Sequence, residues 1–253
     1  MSGVYAGLKA QAWDLLRGDT SQWADRAFYL DVIARSGEPV LDVGCGTGRL
    51  LLDYALEGID IDGVDNAPEM LALCHAKAAD AGVAPRLYEQ DMARLDVPRR
   101  YRTIIVPSSS LQLIVDPADA ALAMTRLRDH LEPGGVIVAS FMQLRRPGQP
   151  LAFGWVPWGE APRDDGTIVR RSVRSTFDIE TQVESSEERF EVVRDGVVVA
   201  SETHVSTVRA YTLEQSLALF ERAGLTDVHA THNFTFDGAT ADSAIWCAFG
   251  RRA

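Results

Sequence analysis

The chain of 253 residues contains no apolar run that approaches a membrane span, although 46% of its residues are hydrophobic, enough for a sizeable core. Cysteine is scarce. Cys45, Cys74 and Cys247 are odd in number, widely spaced and unlike a zinc pattern, and they suit a reducing cytoplasm. The opening Met1-Ser2-Gly3-Val4-Tyr5 lacks the basic and apolar regions of a secretory leader. Long basic tracts are also missing: Arg99-Arg100-Tyr101-Arg102, Arg145-Arg146 and Arg170-Arg171 are short and dispersed. With a net charge of −11 the surface repels a phosphate backbone, so no nucleic-acid partner is expected. The carboxylate pairs Asp164-Asp165 and Glu187-Glu188 have no converging histidines, and no metal site is read from them.

What is present centres on Val40-Leu41-Asp42-Val43-Gly44-Cys45-Gly46-Thr47-Gly48-Arg49-Leu50. It reads as a short apolar strand, a glycine-rich turn and the start of a helix, where bare backbone and free N–H groups can meet a ligand. A dinucleotide fingerprint runs G-x-G-x-x-G, whereas here the spacing is G-x-G-x-G and Arg49 stands where the third glycine would fall. Ile59–Asp65 reads as a second strand ending in an acid, and Asn66 as the N-cap of a helix carrying Met70. Arg86–Met92 reads as a third strand ending in Asp91-Met92.

Asp42-x-Gly44-x-Gly46-x-Gly48, followed by Asp65 and Asp91 in that order, resembles the class I S-adenosylmethionine-dependent methyltransferases. Leu131-Glu132-Pro133-Gly134-Gly135 and the strand after it resemble the same family, and the likeness covers roughly residues 12–142 before resuming near Tyr211. It implies S-adenosylmethionine as cofactor, held by Asp42, Gly44, Cys45, Gly46 and Gly48. Asp65 would take the ribose hydroxyls, with Asn66 and Met70 beside it. Asp91 and Met92 would take the adenine, with Pro107 and Ser108 bordering the methyl group. Cys45 is then a small turn residue rather than a nucleophile.

The alternation of strands and helices predicts an α/β fold: a Rossmann-like seven-stranded methyltransferase sheet in the order 3-2-1-4-5-7-6, with strand seven antiparallel. The chain is expected as one methyltransferase domain with an N-terminal helical cap over residues 1–36, helical from about Ala12 to Ser36. A β insertion is expected over 151–210, forming the acceptor site or a dimer contact. The insertion opens with an aromatic loop, Leu151–Trp158, and continues in three extended segments, where Asp195-Gly196 signals a hairpin. Thr212-Leu213-Glu214-Gln215 reads as a capping box.

The resemblance extends to N-methyltransferases of antibiotic amino sugars, in which such insertions wall the acceptor site or pair subunits. On that reading Tyr5, Tyr29, Gln112, Trp155, Trp158 and Arg209 face the substrate, and His204 is the candidate base. The expected reaction is methyl transfer to an N or O atom of a small organic acceptor, by a cytoplasmic enzyme with no membrane partner, able to form a homodimer. A non-catalytic cofactor-binding module and a methyltransferase acting on a peptide or protein stand as alternatives.

Overall fold

Every residue of the first strand, Val40–Val43, is buried, as a central strand of a parallel sheet must be when helices cover both faces. The computed structural model describes residues 5–146 and 148–253; Met1–Val4 and Pro147 lie outside it. In chain order the strands are β1 (Val40–Val43), β2 (Ile61–Asp65), β3 (Leu87–Glu89), β4 (Tyr101–Val106), β5 (Leu131–Met142), β6 (Ala152–Pro162), β7 (Ile168–Asp178), β8 (Val183–Arg194), β9 (Val197–Arg209), β10 (Thr226–His232) and β11 (Ile245–Arg251). The helices are α1 (Gly7–Gln11), α2 (Trp13–Arg17), α3 (Ala24–Ser36), α4 (Leu51–Leu56), α5 (Pro68–Ala81), α6 (Pro117–Asp129) and α7 (Leu213–Arg222). They form two compact units: Met1–Ser21 with Leu144–Ala210, and Gln22–Gln143 with Tyr211–Ala253.

The second unit holds the seven-stranded sheet, ordered β10-β11-β5-β4-β1-β2-β3 among the described residues. β11 runs antiparallel to both of its neighbours, while β1 to β5 pair in parallel. This is the order 3-2-1-4-5-7-6 read from the sequence. Its helices start and stop where local chemistry dictates. Pro68 opens α5, and Gly82 closes it in the left-handed region at φ 72°. Asp116 caps α6 by accepting from Ala118 N and Asp119 N. The capping box of Thr212 and Gln215 opens α7.

The first unit is an antiparallel sheet in the order β6-β7-β8-β9. Asp195 and Gly196 join β8 to β9 with φ of 50° and 78°, the double positive φ of a type I′ turn. One face of this sheet carries Val169, Phe190 and Val192, and Leu8 and Ala12 pack on them with Leu16 alongside.

Three expectations are corrected. Of the stretch Leu151–Trp158, all but Leu151 belongs to strand β6 rather than a loop. Its prolines, Pro157 and Pro162, are tolerated because β6 is an edge strand, and the pairing with β7 shifts register at Phe153/Val156 and Pro157/Gly159. The helical run from Ala12 to Ser36 breaks at Gly18, whose φ is 64°, and α3 begins only at Ala24. Asn66 does not cap α5: the N-cap is Ala67, and the turn is held instead by Asp65 Oδ1, which accepts from Ala67 N at 2.9 Å.

Candidate active site

In the seven-stranded unit the chain leaves β1 through Gly44, Gly46 and Gly48, all at positive φ. At Gly44 (φ 76°) a Cβ would stand 2.7 Å from Ser110 Oγ, so any larger residue would push the loop off the loop that follows β4. Gly44 N and Cys45 N both donate to Val64 O, which ties the turn to the end of β2. There Asp65 folds back: its Oδ2 accepts from Gly46 N at 2.8 Å. Burial raises its carboxyl pKa, and the N–H groups of Ala67, Gly46 and Asn66 oppose that rise. Each oxygen keeps lone-pair capacity for ligand hydroxyls.

Asp42 lies beneath the turn at 2% exposure, and its Oδ1 has no hydrogen-bond partner among the described residues. Burial is the main cause that lifts its pKa to about 7, with Asp65 and Asp25 adding to the rise and Arg49 working against it. Arg49 cannot serve Asp42 alone. It donates through both terminal nitrogens to Asp25 of α3, and its guanidinium lies over the Trp23 ring at 5.1 Å. A second tie joins the same elements, because Arg26 pairs with Asp53, and Tyr54 Oη donates to Arg26 O at 2.7 Å.

After β3, Asp91 caps a short 3-10 turn, Met92–Arg94, by accepting from Ala93 N at 2.8 Å. Met92 packs on the core cluster of this unit, and its Cε would lie 3.9 Å from a Cβ at Gly44, which brings the residue after Asp91 beside the glycine turn. Met70 is buried against Gly46, and Asn66 is exposed. After β4, Pro107 is buried, Ser108 and Ser109 both take positive φ (54° and 58°), and Ser110 Oγ donates back to Pro107 O at 2.7 Å. Two successive non-glycine residues in the left-handed region mark a strained turn at the carboxyl end of a parallel strand, where ligands of open α/β sheets bind.

These residues fit a ligand with an adenosine body and an amino-acid tail. A buried, unpartnered carboxylate oxygen suits an ammonium, Asp65 suits a ribose diol, and the bare glycines admit a backbone contact. Among residues that the motif reading missed, Asp25 of α3 and Trp23 just before it brace the turn through Arg49. Their only signal in the sequence was Arg49 at the position where a glycine would serve NAD.

The acceptor residues are scattered differently. Tyr29 is fully buried beside Phe28 and Phe234, so the expectation that it faces substrate is corrected: it packs α3 onto the sheet. Gln112 is corrected likewise. Its buried amide donates to Met142 O and accepts from Met142 N, a two-way brace at the end of β5. In the other unit, Tyr5 stands edge-on to Trp13, with Lys9 Nζ 4.3 Å from its ring centre. Trp158 lies against Arg171, and Trp155 between Arg174 and Arg189. Arg171 and Arg174 differ in strand parity, so the two tryptophans occupy opposite faces of the sheet and do not line one wall. Arg209 ends β9 opposite Val183. His204 Nε2 meets Glu202 Oε2 at 3.1 Å, and the imidazole stands edge-on to Phe190. Glu202 also accepts from Leu8 N at 2.8 Å.

Residues 40–135 match a family model described as Methyltransferase domain. Over 223 residues, 85% of this chain and 89% of its relative, the chain is 28% identical to dTDP-3-amino-3,4,6-trideoxy-alpha-D-glucopyranose N,N-dimethyltransferase of Streptomyces venezuelae. It is 29% identical over 231 residues to dTDP-3-amino-3,6-dideoxy-alpha-D-glucopyranose N,N-dimethyltransferase of Streptomyces fradiae, covering 87% of this chain and 85% of that one. The crystal structure of an S-adenosylmethionine-dependent methyltransferase from Clostridium acetobutylicum superposes with a TM-score of 0.80 at 21% identity, over 96% of this chain and 97% of that one, which establishes the fold. Residues 40–135 thus match a methyltransferase domain, and the chain has the fold of the class I S-adenosylmethionine-dependent methyltransferases. It moves a methyl group from that cofactor to a small organic acceptor.

Proposed function

We propose that the accepting atom is the nitrogen of an amino sugar. The observation that carries this reading is the reach of the likeness: the two sugar N,N-dimethyltransferases align over 85% and 87% of the chain, well beyond the segment 40–135 that any methyltransferase domain would match. The bound sulfonium supplies an electrophilic methyl group. The protein then has chiefly to hold donor and acceptor in line, and orientation of this kind lowers barriers by as much as about 7–11 kcal/mol in favourable cases. Asp42, Asp65, Asp91 and the glycine turn hold the cofactor, with Met70, Met92, Pro107 and Ser108 around it. Tyr5, Trp158 and Arg209 are assigned to acceptor binding, and Trp155 to a separate contact on the opposite face of the inserted sheet.

His204 is assigned the proton that the acceptor nitrogen loses. Its support is the Glu202 carboxylate, whose Oε2 lies 3.1 Å from Nε2 and orients the ring. In a His204→Ala variant kcat falls and the cofactor affinity holds; an unchanged kcat removes this role. The enzyme is placed in the cytoplasm as a homodimer joined through the β9 edge, where Val197, Val199 and Val205 are all more than half exposed (63%, 54% and 55%). A monomeric mass by light scattering overturns the dimer.

The direct test incubates the protein with S-adenosylmethionine and a dTDP-3-amino-3,6-dideoxyhexose, alongside the 3-hydroxy counterpart, and follows added methyl groups by mass spectrometry. Methylation of the amine alone is expected. Methylation of the hydroxyl compound, or of neither, overturns the nitrogen assignment.

A further inference from the structure

Strand β8 carries glutamates at positions 184, 187, 188 and 191, and the fold treats one of them differently. Glu187 pairs with Arg174 at 2.7 Å, and Glu191 with Arg170 at 2.8 Å. Glu188 is held by Lys9 at 3.1 Å and by Arg171 at 2.9 Å. Glu184 has no cationic partner among the described residues; its one polar contact is Ser186 Oγ at 3.3 Å. Yet it is half-buried, with its carboxyl raised by burial above the ordinary carboxylate range. A shielded carboxylate without a cation is costly, which is why its three neighbours are all paired.

Its surroundings are those of a binding surface. In the strand register Glu184 lies between Phe177 of β7 and Val208 of β9, so these three share a face of the sheet. Arg145 sits over the same Phe177 ring, 5.6 Å from its centre. The Nε of Arg145 is buried and has no partner among the described residues. An anion and a cation that the fold leaves unmatched therefore border one aromatic ring. The buried hydroxyl-bearing residues Ser175 and Ser186 are next along the strands.

We propose that this patch recognises the acceptor, with Glu184 binding its cationic nitrogen and Arg145 an anionic group of the same molecule. The ligand class is an amine that also carries a phosphate or diphosphate, with a ring to lie on Phe177. The assignment rests on the amino-sugar reading above and adds the residues that select for it. Glu184 and Arg145 are capturing residues in this scheme: they hold the protonated amine ahead of transfer, and its proton is lost only after the nitrogen has left Glu184, which lies four register positions from His204.

The test separates the two charges. Calorimetry is run with dTDP, which has the anion and no amine, and ligand-detected NMR with methyl 3-amino-3-deoxy-α-D-glucopyranoside, which has the amine and no phosphate. For Glu184→Gln the amino glycoside weakens roughly tenfold to a hundredfold while dTDP is unchanged, and for Arg145→Gln the pattern reverses. Glu187→Gln, which removes a partnered glutamate, moves neither. S-adenosylmethionine affinity stays at the parent value in all three, and none melts below the parent, Glu184→Gln melting at or above it because a shielded charge is removed. If Glu184→Gln binds the amino glycoside as the parent does, or if both variants lose melting temperature with no change in affinity, the patch is structural and the proposal falls. If the parent methylates a hydroxyl acceptor and no amine, the amino-sugar reading fails first and this assignment fails with it. If the parent methylates the amine and Glu184→Gln does so with an unchanged KM, this assignment alone fails.

Discussion

The unit of the glycine turn buries Tyr29, Tyr54, Tyr101 and Phe141 completely, in two apolar clusters that lie on the two faces of its sheet. In the unit of the inserted sheet the buried apolar cluster is five residues, Leu8, Ala12, Val169, Phe190 and Val192, and the same face buries Lys9 and Glu188. The other face is written in arginine–glutamate pairs with Trp155 between two guanidiniums. Exposed pairs of that kind contribute about 0–1 kcal/mol each, so they fix strand register more than they hold the sheet together. One unit is thus stabilised by apolar burial and shapes a site with its backbone. The other depends on a buried charge cluster and presents side chains rather than bare backbone.

The comparison breaks most visibly at Glu188. In Glu188→Leu, Lys9 keeps a side chain only 3% exposed and loses its carboxylate, so we expect a loss of about 3–5 kcal/mol in urea unfolding. Adding Lys9→Met should recover most of it; a single variant that melts like the parent would show that the inserted sheet does not depend on this charge centre.

Next in size is Asp65→Ala in the other unit. Calorimetry should show S-adenosylmethionine affinity reduced by about a hundredfold, close to 3 kcal/mol, because the carboxylate that holds Gly46 N, and that is assigned the ribose hydroxyls, is gone. Retained affinity would locate the cofactor elsewhere.

The third effect depends on pH. Asp42 goes from an ordinary value of 3.8 to about 7 in the fold, so between those values the folded protein holds a proton that the unfolded chain has released. The stability of the cofactor-free protein therefore falls as pH rises through that window, by about 2 kcal/mol between pH 5 and 7. Asp42→Asn should flatten the profile, and a flat profile in the parent would contradict a buried carboxylate whose Oδ1 has no partner among the described residues.

The smallest is Thr212→Ala, which removes one half of the capping box of α7 and should cost about 1 kcal/mol in the same unfolding experiment.

The sequence by itself determined what depends on neighbours a few residues apart. The glycine turn, the capping box at Thr212 and the Asp195-Gly196 hairpin were legible because φ > 0 and an unsatisfied helix N–H each demand particular residue types at fixed spacing. Strand order was legible too, since parallel strands joined by helices permit few connections. Only the tertiary structure decided the rest. Tyr29 and Gln112 have polar tips that read as available, yet packing buries one and the backbone of Met142 engages the other. Ala152–Trp158 became a strand because β7 was there to pair with it, and an edge position forgives its prolines. Asp25 reaches Arg49 across 24 residues of sequence, and Lys9 reaches Glu188 from the far end of the chain. Charge pairing over such separations is set by where the fold excludes water, and no local pattern records it.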